Sequence, residues 1–232
     1  MGSPEVRSFE HRWDQYQQLD HLTTHWYWRP GWKPGRTFLT WHLTFEDQPA
    51  LHTLVAEIQD HLSVDYVDLV PSEGLHLTVQ GIGFTDEITD SETTAIVAAS
   101  QQRCAAIPAF DLTLGPVDPD AEGIGLLVRP WQAVNHLRDA IRDAIAAIRT
   151  DVPENATGFR PHVTIAYTAA DVPNADATAR LAPLRTLPPT SVRVTAVRLI
   201  ELRRNDRTYE WDTIATVRLS SAPATAAAAF RD

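Results

Sequence analysis

Hydrophobic and polar positions follow two different periods along this chain. Apolar residues alternate with polar ones, or run together with β-branched and aromatic residues, in segments that predict strands: residues 37–46, 64–70, 75–84, 109–117, 123–129, 161–168, 191–202 and 208–219. Apolar residues spaced three or four positions apart predict helices over residues 48–62 and 131–148, and further helices are predicted over 89–106 and over the Ala-rich segment 174–182. Strands and helices therefore alternate, and they do so in two successive halves.

Short turns separate several of these strands, which favours antiparallel pairing because parallel neighbours need a long crossover. The segment 71–74 (PSEG) predicts a turn between paired strands at 64–70 and 75–84. The last two strands, at 191–202 and 208–219, predict a closing pair. The chain is thus predicted to be an α+β protein.

Three segments differ in composition. Residues 37–219 contain the alternating pattern and are expected to form one domain of two similar lobes. Residues 1–36 are rich in Trp and His, too aromatic for a disordered tail, and we expect them to pack on the body at the rim of the site. Residues 220–232 are Ala-rich and are expected to form a flexible tail.

The charge balance narrows the range of partners. A net charge of −10 argues against binding to long nucleic acid, which usually needs a basic face. Arginines of the second half, Arg160 among them, leave room for a local basic groove. No apolar stretch is long enough for a membrane helix, and a single cysteine, Cys104, fits a cytoplasmic protein without disulfides. We expect a monomer.

A short motif, His-apolar-Thr-apolar, occurs three times in predicted strands: at His42-Leu43-Thr44-Phe45, His76-Leu77-Thr78-Val79 and His162-Val163-Thr164-Ile165. Side chains alternate across a strand, so each His shares one face with its Thr, about 6–7 Å away. Two such pairs facing each other suit phosphodiester cleavage. One histidine removes a proton, the other supplies one, and the hydroxyls hold the phosphate oxygens. This chemistry needs no metal or cofactor.

The turn context distinguishes two copies of the motif. His76 follows the 71–74 turn, and His162 follows Arg160-Pro161 in a loop, whereas His42 lies before the first predicted helix. With the segments Gly74–Val79 and Phe159–Ile165, 86 positions apart, the chain resembles the two-histidine (2H) phosphoesterases. This family includes 2′-5′ RNA ligase-like proteins and cyclic nucleotide phosphodiesterases.

The resemblance covers roughly residues 37–219 and implies a bilobal fold, with two antiparallel sheets around a central groove. It implies that His76, Thr78, His162 and Thr164 are catalytic. It further implies cleavage of a 2′,3′-cyclic or 2′-5′ phosphodiester, here of a small nucleotide or short oligonucleotide. Ligation of RNA ends through 2′-5′ bonds and non-catalytic nucleotide binding are the alternatives.

The chain departs from the family beside both motifs. Members that act on RNA often carry basic residues there, where this chain has Gln80 and Tyr167. Gln80 is expected to share the face of His76 and Thr78 and to contact substrate. Tyr167 has the opposite parity from His162 and would line the site only if a bulge intervenes.

Three further residues are candidates for substrate binding: Arg160, Tyr209 and His42. The resemblance implies an aromatic residue near Tyr209, where it would face a base. His42 has two interpretations, as a structural strand histidine or as a groove-lining neighbour of the catalytic pair. Two metal-site hypotheses, a His42–His76–His162 centre and a His21–His25 zinc pair, lack the carboxylates or cysteines that usually accompany such ligands.

Overall fold

The computed structural model describes residues 4–221. It contains five α-helices in this part of the chain: α1 (Pro4–Gln17), α2 (Pro49–Asp60), α3 (Asp90–Cys104), α4 (Trp131–Ala146) and α5 (Ala175–Leu181). Its strands are β1 (His21–Leu22), β2 (Thr37–Thr44), β3 (Val67–Leu69), β4 (His76–Phe84), β5 (Phe110–Asp120), β6 (Gly123–Arg129), β7 (His162–Thr168), β8 (Val172–Pro173), β9 (Thr190–Val194), β10 (Ala196–Asn205) and β11 (Thr208–Arg218).

The strands form two large antiparallel sheets, so the predicted α+β class is confirmed. One sheet has the strand order β11-β10-β2-β4, and the other has the order β3-β7-β6-β5-β9. We call them the four-stranded and five-stranded sheets. A separate pair, β1 and β8, is also antiparallel. The four-stranded sheet carries the first motif, on β4, and the five-stranded sheet carries the second, on β7.

Two helices pack on the opposite sheet from the strand that they follow in the chain. Helix α2 follows β2 of the four-stranded sheet but packs on β9 and β7 of the other sheet. Helix α4 follows β6 of the five-stranded sheet but packs on β4. The buried stripe of α2, Leu51, Leu54, Val55 and Ile58, matches the apolar spacing that predicts this helix. This exchange ties the two sheets to one continuous core.

The predicted pairing of residues 64–70 with 75–84 is wrong. Strand β3 pairs with β7, and β4 pairs with β2. The turn between them, a 3₁₀ turn at Ser72–Gly74, carries the chain from one sheet to the other. Residues 191–202 are likewise divided between β9 in the five-stranded sheet and β10 in the four-stranded sheet. A turn signal is local, and it does not determine which strands become neighbours.

The N-terminal residues pack against the body. Phe9, Trp13 and Tyr16 of α1 are buried, and the Tyr16 carbonyl accepts a hydrogen bond of 2.7 Å from Asn174 Nδ2. At the other end, the Ser220 amide donates to the Ile107 carbonyl. The rest of the predicted tail, beyond residue 221, lies outside the described residues. No helix within residues 4–221 is long and apolar enough to cross a membrane.

Candidate active site

A groove with a volume of about 390 Å³ contains both motifs. His76 and Thr78 reach it from β4, and His162 and Thr164 reach it from β7. Its remaining walls are largely aromatic or apolar and include Trp32, Phe38, Tyr167, Leu202 and Tyr209. The structure therefore brings together the four side chains of the second and third copies of the motif.

The two motif histidines make equivalent hydrogen bonds. His76 Nδ1 lies 2.8 Å from the Gly74 carbonyl oxygen, and His162 Nδ1 lies 3.0 Å from the Arg160 carbonyl oxygen. A carbonyl oxygen can only accept, so Nδ1 carries the proton in each ring. Nε2 is then the basic nitrogen of each neutral imidazole.

Partial removal from water in the groove lowers the pKa of both histidines. It lowers the pKa of His76 to about 4, an effect that the charge of His162 reinforces and the hydrogen bond to Gly74 opposes. The groove walls around His162 lower its pKa as well, and the positive charge of Arg160 adds to the effect, although this ring is exposed at the groove mouth. Both shifts favour the neutral ring, with Nε2 unprotonated.

A β-bulge interrupts each motif strand directly after the threonine. On β4, Thr78 pairs with His42 and Gln80 pairs with Trp41, so Val79 is the extra residue. On β7, Thr164 pairs with Gly125 and Ala166 pairs with Ile124, so Ile165 is the extra residue. Each bulge reverses the alternation of side chains beyond it.

The prediction that Gln80 shares the face of His76 and Thr78 is therefore wrong. Gln80 is completely buried on the core side. Its Nε2 donates to the Pro153 carbonyl at 2.7 Å, and its Oε1 accepts from Arg142 at 2.8 Å. The side chain supports the loop before the second motif and does not reach the groove.

The second bulge has the opposite effect on Tyr167. The bulge at Ile165 places Tyr167 on the face of His162 and Thr164, where it lines the groove. Its ring stacks on His25 with centroids 4.2 Å apart. Tyr209 also lines the groove, and its hydroxyl lies 3.0 Å from His25 Nε2.

His42 lies behind the first motif. It is completely buried, its Nε2 is 3.2 Å from Thr78 Oγ1, and its ring lies parallel to that of His76 with centroids 4.3 Å apart. Its motif partner Thr44 is bound instead by Arg198. His42 is therefore attached to the first motif and does not form a third pair.

The stacking of His42 on His76 argues against a metal centre formed by His42, His76 and His162. A nitrogen lone pair lies in the plane of its imidazole ring, and the His42 and His76 rings lie in parallel, stacked planes, so the two cannot share one ion with His162. His21 is exposed on β1, whereas His25 faces the groove. Within residues 4–221, no group of three or more His, Cys, Asp or Glu side chains is arranged to hold a metal ion.

Arg160 lies at the edge of the groove and already has two partners. Its guanidinium donates to Asp118 at 3.1 Å and to Asp120 at 3.0 Å. Asp118 is almost fully buried and also binds Arg12. Arg160 is thus a bound cation beside His162, in a cavity of about 430 Å³ that adjoins the groove.

Several groove residues escaped the sequence reasoning, among them His25, Arg29 and Glu154. The Trp- and His-rich composition of residues 1–36 signalled that this segment belongs near the site, but it did not indicate which side chains enter. Glu154 has a left-handed backbone with φ of 65°, and nothing in its local sequence marks it as part of the groove.

Comparison with known proteins identifies the family. A family model described as the 2′-5′ RNA ligase superfamily matches residues 45–206. No curated protein matches. Among solved structures, apo LigT of E. coli is 18% identical with a TM-score of 0.60, covering 80% of this chain and 98% of its own.

Two other solved structures have similar folds. A protein described as a phosphoesterase is 17% identical with a TM-score of 0.61, covering 80% of this chain and 99% of its own. The protein TT0787 of Thermus thermophilus is 16% identical with a TM-score of 0.61, covering 78% and 97%. The family match spans more than half of the chain, and the fold and both motifs agree with it. This protein therefore belongs to the 2′-5′ RNA ligase superfamily of 2H phosphoesterases.

Proposed function

We propose that this protein is a metal-independent phosphodiesterase that uses His76 and His162 as its general base and general acid. Membership of the superfamily supports phosphodiesterase or ligase-type activity. The main observation behind the assignment of the two histidines is that their rings are anchored in the same way. Each Nδ1 is bound to a backbone carbonyl, and each Nε2 remains basic in one groove.

The reaction on a 2′,3′-cyclic nucleotide needs two proton transfers. One neutral Nε2 takes a proton from the attacking water as its oxygen bonds to phosphorus. The other histidine, protonated, gives a proton to the ribose oxygen as its bond to phosphorus breaks. The product is a nucleoside monophosphate, and both protons are accounted for. Because both rings are anchored in the same way, the orientation of the bound ester assigns the base and the acid.

The two threonines support the charge that develops on phosphate. Thr78 and Thr164 line the groove beside their histidines, where hydroxyl donors can hold the non-bridging oxygens. His42 fixes one of them. Its Nδ1 has no partner among the described residues, and because a buried N–H is rarely left unpaired, we place its proton on Nε2. His42 therefore donates to Thr78, leaving the Thr78 hydroxyl hydrogen for the substrate.

The groove fits a small substrate. Its volume of about 390 Å³ falls in the range of roughly 300–1,000 Å³ typical of small-molecule sites, and its aromatic walls suit stacking with a base. E. coli LigT has been solved with 3′-AMP, ATP and NADP⁺. These points favour a nucleotide or short oligonucleotide, with a 2′,3′-cyclic or 2′-5′ phosphodiester.

A substrate panel tests the proposal. We expect turnover of 2′,3′-cyclic mononucleotides or 2′-5′-linked dinucleotides by the purified protein. Joining of RNA with a 2′,3′-cyclic end to RNA with a 5′-hydroxyl, without hydrolysis of the small esters, would favour the ligase alternative. Binding without turnover of any ester would favour the non-catalytic alternative.

The pH dependence should be displaced toward acid. One histidine must be neutral and the other protonated, so kcat/KM should follow a bell-shaped curve set by the free enzyme. Partial removal from water in the groove lowers both pKa values, that of His76 to about 4. The maximum is expected between about pH 4 and the ordinary histidine value of 6.5, with kcat/KM falling as the pH rises further. A flat profile from pH 5 to 8 would contradict the assignment.

His42→Phe tests the orientation of Thr78. Loss of the Nε2 donor should lower kcat about 5- to 20-fold with KM nearly unchanged, because the hydroxyl loses its fixed direction. Thr78→Val should cost more, and the double variant should resemble Thr78→Val alone, since both changes remove one interaction. Purely additive losses would indicate that His42 acts only through packing.

A further inference from the structure

A cation from the N-terminal segment, residues 20–36, lines the groove. Among the lining residues that the structure describes, Arg29 is the only arginine or lysine. It also borders a smaller cavity of about 200 Å³, which it shares with Arg160, His162 and Thr164. Arg29 thus lies beside the second motif, although it precedes the part of the chain that the family model matches.

The position of this segment is fixed on both sheets. The His25 amide donates to the Thr168 carbonyl of β7 at 2.8 Å. Arg204 of β10 donates to the Tyr27 carbonyl at 2.8 Å. Arg36, further along, forms ion pairs with Asp86 and Glu87. Arg29 is therefore held at the groove between attachments to the two lobes.

A cation in the groove would offset the negative charge of a bound phosphodiester. The residues following the two motifs supply none, because Gln80 is turned into the core and Tyr167 is aromatic. Arg160 is bound by Asp118 and Asp120. A phosphodiester carries a negative charge, and a guanidinium binds its oxygens through short, charge-assisted hydrogen bonds.

Arg29 can bind a phosphate oxygen in spite of its present partners. Its Nη2 lies 2.5 Å from Glu122 Oε2, and its Nη1 donates to the Tyr27 hydroxyl at 2.7 Å. The side chains of Arg29 and Glu122 are 39% and 33% exposed, and ion pairs exposed to this degree contribute little to stability. The guanidinium has five N–H donors, so it can bind a phosphate oxygen while releasing or sharing Glu122.

We infer that Arg29 is the substrate's phosphate contact in the groove, supplied by the N-terminal segment in place of basic residues beside the motifs. Glu122 is paired with the guanidinium until the phosphate binds. The inference rests on the proposed function, since it places the phosphate between His76 and His162. It adds a specificity-determining residue outside the region that defines the family.

Calorimetric titration with adenosine 2′-monophosphate and with adenosine tests this inference. Arg29→Gln is expected to weaken the nucleotide about 10- to 100-fold and to change adenosine binding less than twofold. Lys33→Gln removes an exposed cation of the same segment outside the groove and should leave both affinities unchanged. Equal nucleotide affinity in Arg29→Gln and the native protein, or an equal loss for adenosine, would overturn the inference.

Glu122→Gln provides an opposite test that does not depend on the stability of the Arg29 variant. Removing the competing carboxylate should tighten nucleotide binding about 2- to 5-fold, and unchanged or weaker binding would count against the inference. These titrations use a monophosphate and need no turnover. A protein that fails to hydrolyse cyclic esters would therefore refute the proposed function without deciding the role of Arg29.

Discussion

Replacing either His76 or His162 by alanine is expected to lower kcat/KM for a 2′,3′-cyclic mononucleotide by about 100- to 10,000-fold. Each ring supplies one of two proton transfers, and no other groove residue that the structure describes repeats its anchored Nδ1 and basic Nε2. The double variant should be little worse than either single one, because the two groups act as a unit.

The fold should survive both changes. Neither ring is part of the hydrophobic core; each makes one hydrogen bond to a carbonyl at the groove, and His76 also stacks on His42. His136→Ala, which removes an exposed histidine of α4, is the matched control and should retain full activity. Full activity in His76→Ala or His162→Ala, measured with thermal unfolding to verify folding, would refute the assignment.

Arg138→Met is expected to reduce the free energy of unfolding by about 2–4 kcal/mol. Arg138 is 2% exposed and donates to three backbone carbonyls: Val79 at 3.1 Å, Ala156 at 3.2 Å and Asn155 at 2.9 Å. Methionine fills most of the space but leaves these acceptors without their donor. Denaturation by urea measures the change.

The same substitution should also affect activity. Val79 is the bulge residue after the first motif, and residues 155 and 156 lie in the loop before the second. Arg138 joins the two, so its loss should lower kcat/KM about tenfold even in the folded fraction. Arg103→Met, at an exposed position of α3, is the control. A loss of stability below about 1 kcal/mol would contradict this role.

The sequence predicts the individual helices and strands of this fold. Helices α2 and α4 follow from their apolar spacing, and a capping box formed by Thr89 and Glu92 begins α3. The exchange of strands between sheets does not follow, because alternation indicates a half-buried strand without naming its neighbours. Strand β3, only three residues long, shows this most clearly.

The sequence likewise predicts only part of the site. Two motif pairs in matching turn contexts could be selected, and the third copy, with His42, could be set apart. The residues after them could not be placed, since a β-bulge adds one residue without a clear local signal. Two bulges exchange the expected orientations of Gln80 and Tyr167. The entry of Arg29 into the groove depends on long-range attachments that sequence patterns do not encode.

The measurement that tests the central claim most directly is hydrolysis of a 2′,3′-cyclic mononucleotide by protein that has been dialysed against a strong chelator, with the product identified. We expect unchanged turnover to a nucleoside monophosphate, since His76 and His162 supply both proton transfers. Loss of turnover that returns only on addition of a divalent metal ion would contradict the claim.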